Sequence, residues 1–73
     1  MMEEYRIIKI EDMGDAVVKL QQLLNKVGYC LDENGIFDKM TEMCVADLQR
    51  KNGLTVDRIV GPETWKKIYE LAK

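Results

Sequence analysis

The chain is 73 residues long, which is room for one compact domain and no more. Apolar residues make up 47% of it and charged residues 33%, with a net charge of −2, so disorder and a basic nucleic-acid footprint are both excluded. Two cysteines, no histidine and no serine rule out a histidine-activated nucleophile, and they cannot fill a structural zinc shell without carboxylates. No metal or other cofactor is therefore expected.

Met1 to Ile10 is too charged for a signal peptide, and no apolar run approaches the roughly 20 residues that span a bilayer. The chain is expected to stay in the cytosol, to leave by another route, or to be part of a longer exported protein. Within this segment Tyr5 to Ile10 alternates weakly, with Ile8 and Ile10 facing one way. It reads as an extended arm over residues 1–10, packed along the body without a strand to pair with.

Three helices follow, over about 13–27, 39–52 and 62–72. Asp12 is the expected cap of the first and Asp15 its third helical position, a carboxylate variant of the capping box. Val17, Leu20, Leu24 and Val27 then recur at spacings of three and four, and Gly28 supplies the left-handed stop. Cys30 to Phe37 is a connection containing the turn dipeptide Asn34-Gly35. Asp38 caps the second helix, whose inner face is Cys44, Val45 and Leu48 and whose terminator is Lys51-Asn52-Gly53. Gly61-Pro62-Glu63 opens the third, with Trp65, Ile68 and Ala72 inward and Tyr69 beside them. Ile36 and Phe37 are assigned to the core. Cys44 reads as a small buried hydrophobe and Cys30 as a loop thiol, with one disulfide arithmetically possible but not expected.

A duplication underlies this order. Val17, Leu20 and Gln21 recur 28 positions on as Val45, Leu48 and Gln49. Asn34-Gly35-Ile36-Phe37 and Thr41 answer Asp57-Arg58-Ile59-Val60 and Thr64 at 23 positions. The unit is helix, glycine stop, turn, apolar hook and the cap of the next helix, and two units share the middle helix. The fold class is all-α, a small three-helix bundle with an extended arm and two hook-like turns.

These residues resemble the peptidoglycan-binding domain-like family. The resemblance runs through Ile8-Lys9-Ile10, Gly14-Asp15-Ala16-Val17, Leu20-Gln21, Gly28-Tyr29, the Asn34-to-Thr41 hook, Val45, Leu48-Gln49, Gly53-Leu54, and Asp57 with Gly61-Pro62, Thr64-Trp65 and Ile68, from about Ile8 to Ile68 in order. Departures are Glu11 and Arg58 at glycine positions, Asn34 for aspartate, Asp38 for glycine, and Cys44 and Leu48 for alanine and phenylalanine. A positive backbone angle would strain Arg58, so a different turn is expected there.

The resemblance implies a non-catalytic module that binds bacterial cell-wall peptidoglycan while a covalently linked wall-lytic domain does the chemistry, as in amidases, muramidases and phage endolysins. It implies a place in the cell wall or outside the cell. A monomer is the default expectation, and the charge balance and the lack of a long apolar run leave neither nucleic acid nor membrane as an expected partner. Carboxylates such as Asp32, Glu33, Asp57 and Glu63 read as caps and turn residues rather than a glycosidase pair. For wall polymer the candidate contacts are Tyr29 as an aromatic platform, or simply a cover for the bundle's end. Asp32 and Asn34 would bond amides or hydroxyls, with Gly35 allowing close backbone approach, or Asn34-Gly35 is only a turn. Arg50 would meet a stem-peptide carboxylate or remain a solvated charge, and Trp65 is core first and ligand contact second. Two other readings stand beside this: a protein-docking or pro-segment module on the same scaffold, and a helix-turn-helix DNA binder, which fails on charge because Lys66 and Lys67 are its only basic pair in the third helix.

Overall fold

A computed structural model describes residues 6–73, so the expected start of the arm, Met1 to Tyr5, lies outside the described residues. Three helices follow one another, α1 (Asp15–Val27), α2 (Lys39–Lys51) and α3 (Pro62–Leu71), with α1 against α3. Their facing sides meet in a core of Leu20, Leu24, Phe37, Leu48, Trp65 and Ile68, each at most 1% exposed. Val17, Val45 and Val60 belong to it, as do Ile8, Leu23 and Ala72. No helix among the described residues is long and apolar enough to cross a membrane.

Two of the expected caps carry the helix starts. Asp38 accepts the Thr41 amide and the Thr41 hydroxyl, both at 3.0 Å. Pro62 occupies the first turn of α3 after Gly61. The start of α1 differs from expectation. Its cap is Gly14, with no side-chain bond, and the Asp12 carboxylate turns back to accept the Lys9 amide at 2.9 Å. Asp12 therefore closes the Lys9–Asp12 turn, where the Asp12 amide also donates to the Lys9 carbonyl at 3.0 Å and Glu11 takes φ 80.

The arm, too, departs from an unpaired extended segment. It pairs with the second hook, and the turn that follows it with the first, through antiparallel bridges between Ile8 and Val60 and between Met13 and Ile36. Ile8 exchanges both backbone bonds with Val60 (3.2 and 2.9 Å), and Phe37 donates to the Asp12 carbonyl at 2.9 Å. Pairing leaves Ile8 buried at 2%, but Ile10 does not share its face as the alternation predicts, because the Lys9–Asp12 turn ends the extended run before Ile10 and leaves it 36% exposed. The same pairing turns Ile36 out of the core and Phe37 into it, which corrects the expectation for Ile36. Cys44 is half-buried rather than buried, and neither cysteine is in a disulfide.

The cap on α2 makes stability depend on pH. The Thr41 amide, donating to Asp38, holds that carboxyl below its usual range. A depressed carboxylate contributes stability above its unfolded value and loses it as pH falls through the folded one. Asp38→Asn keeps a side-chain oxygen for the Thr41 amide but removes the titration. It is expected to narrow the gap in melting temperature between about pH 6 and about pH 3. Thermal melts at the two pH values check this, and an unchanged gap would remove Asp38 from the acid response.

Candidate functional site

One buried glutamine holds each hook. Gln21 in α1 donates from Nε2 to the Ile36 carbonyl (3.0 Å) and Thr41 Oγ1 (3.1 Å), and more distantly to Asn34 Oδ1 (3.3 Å). Its Oε1 accepts the Gly35 amide at 2.9 Å. Gln49 in α2 repeats the arrangement on Ile59, Thr64 and Asp57 at 3.0, 3.1 and 3.0 Å, with the Arg58 amide returning at 3.0 Å. The correspondence corrects the expectation of a different turn at Arg58. That residue takes φ 64 beside Gly35's φ 78, so the second hook keeps the first hook's geometry with an L-residue in the left-handed region. Among the described residues, no buried side-chain nitrogen or oxygen lacks a partner.

A groove of about 700 Å³ lies on the outer face of α2, between Tyr29 and the second hook. Spacings of three and four put Lys39, Met43, Ala46 and Arg50 on that face, with Met40 and Asp47 beside them. Val56 and Arg58 form the far wall. Met40, Met43 and Val56 are all about half exposed, at 58%, 57% and 49%, an uncovered apolar strip.

The near wall is a fixed polar cluster. Tyr29 Oη donates to Asp47 Oδ2 at 2.7 Å, Arg50 Nη2 meets Asp47 Oδ1 at 2.6 Å, and Lys51 Nζ lies 3.2 Å from Oδ2. Burial, with the Asp47 carboxylate beside it, pushes the Tyr29 phenol up to about 12, while the Tyr29 hydroxyl and Lys51 hold Asp47 below the usual carboxylate range. The phenol therefore stays protonated and its hydroxyl is spent on Asp47, which leaves the ring as the surface offered to the groove. The Cys44 thiol is pushed up, first by burial, so the groove holds no thiolate at neutral pH.

The six candidate contacts thus separate. Tyr29 and Arg50 share the groove, and Arg50 arrives already paired with Asp47. Asp32 lines a smaller adjoining hollow of about 160 Å³ that has Met40 in common with the groove. Asn34 Oδ1 accepts the Ile36 amide at 3.0 Å as well as facing Gln21, so this side chain works within the hook. A Cβ on Gly35 would meet Val18 Cγ2 at 2.9 Å, so packing as well as φ favours glycine there. Trp65 has no exposed surface, and its Nε1 donates to the Arg6 carbonyl at 2.7 Å, tying α3 to the arm. Sequence reasoning passed over Met40, Met43, Asp47, Val56 and Arg58. The three-and-four spacing of Met40, Met43 and Asp47 on a helix whose inner face was already filled is the signal that would have found the first three.

A family model described as "Putative peptidoglycan binding domain" matches residues 13–68. An uncharacterized protein from the bpoA1 3′ region of Kitasatospora aureofaciens is 43% identical over 60 residues, 80% of this chain and 51% of that one. The chain therefore spans about half the length of this curated relative. A crystal structure of a peptidoglycan-binding protein from Clostridioides difficile, in complex with glutamine hydroxamate, superposes with a TM-score of 0.93 at 30% identity. The match covers 99% of this chain and 46% of that one. The Burkholderia AP3 phage endolysin matches with a TM-score of 0.86 at 34% identity, over 89% of this chain and 25% of the endolysin.

Proposed function

Because the chain belongs to the peptidoglycan-binding domain family, we propose that it binds bacterial cell-wall peptidoglycan through the α2 groove and targets a covalently attached wall-lytic or wall-modifying domain. The observation that carries this reading is the composition of the groove. An immobilised aromatic ring, Tyr29, stands beside an apolar strip and basic side chains, which suits sugar faces and stem peptides. The neighbouring hollow at Asp32 adds an acceptor for amides and hydroxyls, and Asn34 and Gly35 serve by shaping the hook. The module itself does no chemistry. Its effect is avidity, since holding an enzyme on an insoluble polymer raises its effective concentration at the bonds it cuts. The short share of the endolysin and of the Clostridioides protein that the match occupies supports a partner domain in the parent protein, in the cell wall or outside the cell.

The test is co-sedimentation with insoluble, protein-free sacculi beside cellulose and chitin. Selective retention is expected, and Tyr29→Ala should lower it about fivefold or more while the domain remains folded by circular dichroism. A folded domain that stays in the supernatant with walls of several bacterial types would sink wall binding. The exposed Met40, Met43 and Val56 would then favour the second reading, a protein-docking or pro-segment module.

A further inference from the structure

We propose that Arg58 makes the second-hook end of the α2 groove a carboxylate-recognition subsite, which takes the free C-terminal carboxylate of a wall stem peptide and lays its short aliphatic side chains against Met40, Met43 and Val56. This rests on the wall-binding reading and names the group which that site selects.

The internal repeat supplies the first argument. In the first unit Val18 packs against Gly35 so closely that a Cβ there would sit 2.9 Å from Val18 Cγ2. The residue 28 positions after Val18 is Ala46, and the residue 23 positions after Gly35 is Arg58. Both Ala46 and Arg58 line the groove. The second unit has exchanged a valine on a glycine for an alanine beside an arginine. Space is opened on the helix, and a long cation is brought into it. Arg58 is held there at φ 64, a conformation that glycine adopts without cost, so the side chain is kept against a backbone penalty.

A second argument comes from what covers each hook. The chain entering α1 closes over the first, with Gly14 donating to the Gly35 carbonyl at 2.9 Å and Glu11 to the Phe37 carbonyl at 3.0 Å. Among the described residues the second hook receives from that segment only the Ile8–Val60 backbone pair, and Arg58 lines the groove.

Charge decides the occupant. Arg50 and Lys51 are both ion-paired with Asp47, and Lys39 lies 3.6 Å from Glu42. Arg58 is exposed, and its guanidinium has no ion-pair or hydrogen-bond partner among the described residues. Among the described residues the only carboxylate on the groove wall is Asp47, already held by Tyr29, Arg50 and Lys51. An uncommitted guanidinium over an apolar strip fits a carboxylate in a two-pronged hydrogen-bonded pair, with methyl-sized groups beneath it. Arg58 thus takes the carboxylate role that the sequence suggested for Arg50.

The experiment titrates the full chain with a synthetic stem peptide ending in a free carboxylate and with the same peptide amidated at that end, followed by heteronuclear NMR. The free acid is expected to bind about tenfold or more tightly than the amide. Arg58→Gly removes the guanidinium, suits the left-handed turn and is expected to abolish that preference while Tyr29 resonances still shift. Arg58→Asn, which also tolerates a left-handed backbone, should behave alike, so that a folding defect in one variant does not decide the matter. Equal binding of acid and amide, or a preference that survives both variants, overturns the subsite. If sacculi still retain the protein in that case, wall binding stands without it. Loss of binding to sacculi and to both peptides overturns the two together.

Discussion

Trp65→Ala is expected to leave the domain largely unfolded at room temperature. The indole has no exposed surface and contacts the Tyr69 ring at a centroid distance of 6.1 Å. Truncating a buried tryptophan costs about 3–5 kcal/mol, and a core of this size typically supplies only about 3–5 kcal/mol in total. The loss reaches further than the cavity, because the Trp65 Nε1 bond to the Arg6 carbonyl spans nearly the whole chain and anchors the arm beside α3. Urea titration followed by far-ultraviolet circular dichroism measures it. A midpoint within about 0.5 M of the parent, at an ordinary slope of about 1 kcal/mol per molar, would mean that the arm and Trp65 contribute little.

Gln21→Leu is expected to be the next most damaging change, at about 2–4 kcal/mol, more than its counterpart Gln49→Leu. Leucine conserves much of the volume, so the cost is that of the hydrogen bonds. The Gly35 amide, buried beneath Gln21 Oε1, loses its partner, and the Thr41 hydroxyl loses its donor while it still bonds Asp38. The corresponding Arg58 amide is only part-buried, so water can replace Gln49 Oε1 there. A melting temperature lower by about 10–20 °C is expected for Gln21→Leu, with a smaller drop for Gln49→Leu. Calorimetry of both variants checks the order, and the reverse order would mean that the second hook, strained at Arg58, is the weaker half.

The glutamines also mark how far the sequence could be read. Gln21 and Gln49 stood out as repeated residues on the inner stripes of two helices, yet a stripe says nothing about what a polar member bonds to. Their partners lie 8 to 20 positions away, and only the folded hooks bring them together. Arg58 was a case of misplaced weight. Its penalty for a left-handed backbone is real, but the bond from its amide to Gln49 Oε1 holds it in the same turn as Gly35. Among the candidate contacts, Tyr29 and Arg50 were legible as surface residues at the ends of helices. That they share one carboxylate, and that this leaves Arg58 uncommitted, depends on the angle at which the loop after α1 meets α2.

The sequence by itself determined the three helices, the two hooks and the family, because caps, glycine stops and apolar spacing act over three or four residues and are written contiguously. Asp38 with Thr41, Gly28, and Pro62 after Gly61 are signals of this kind. The tertiary structure decided what the arm pairs with, which of Ile36 and Phe37 turns inward, and where a groove is left uncovered. These depend on backbone groups meeting across the fold, Ile8 on Val60 and Met13 on Ile36, and a one-residue change of register would reverse every side chain on the arm.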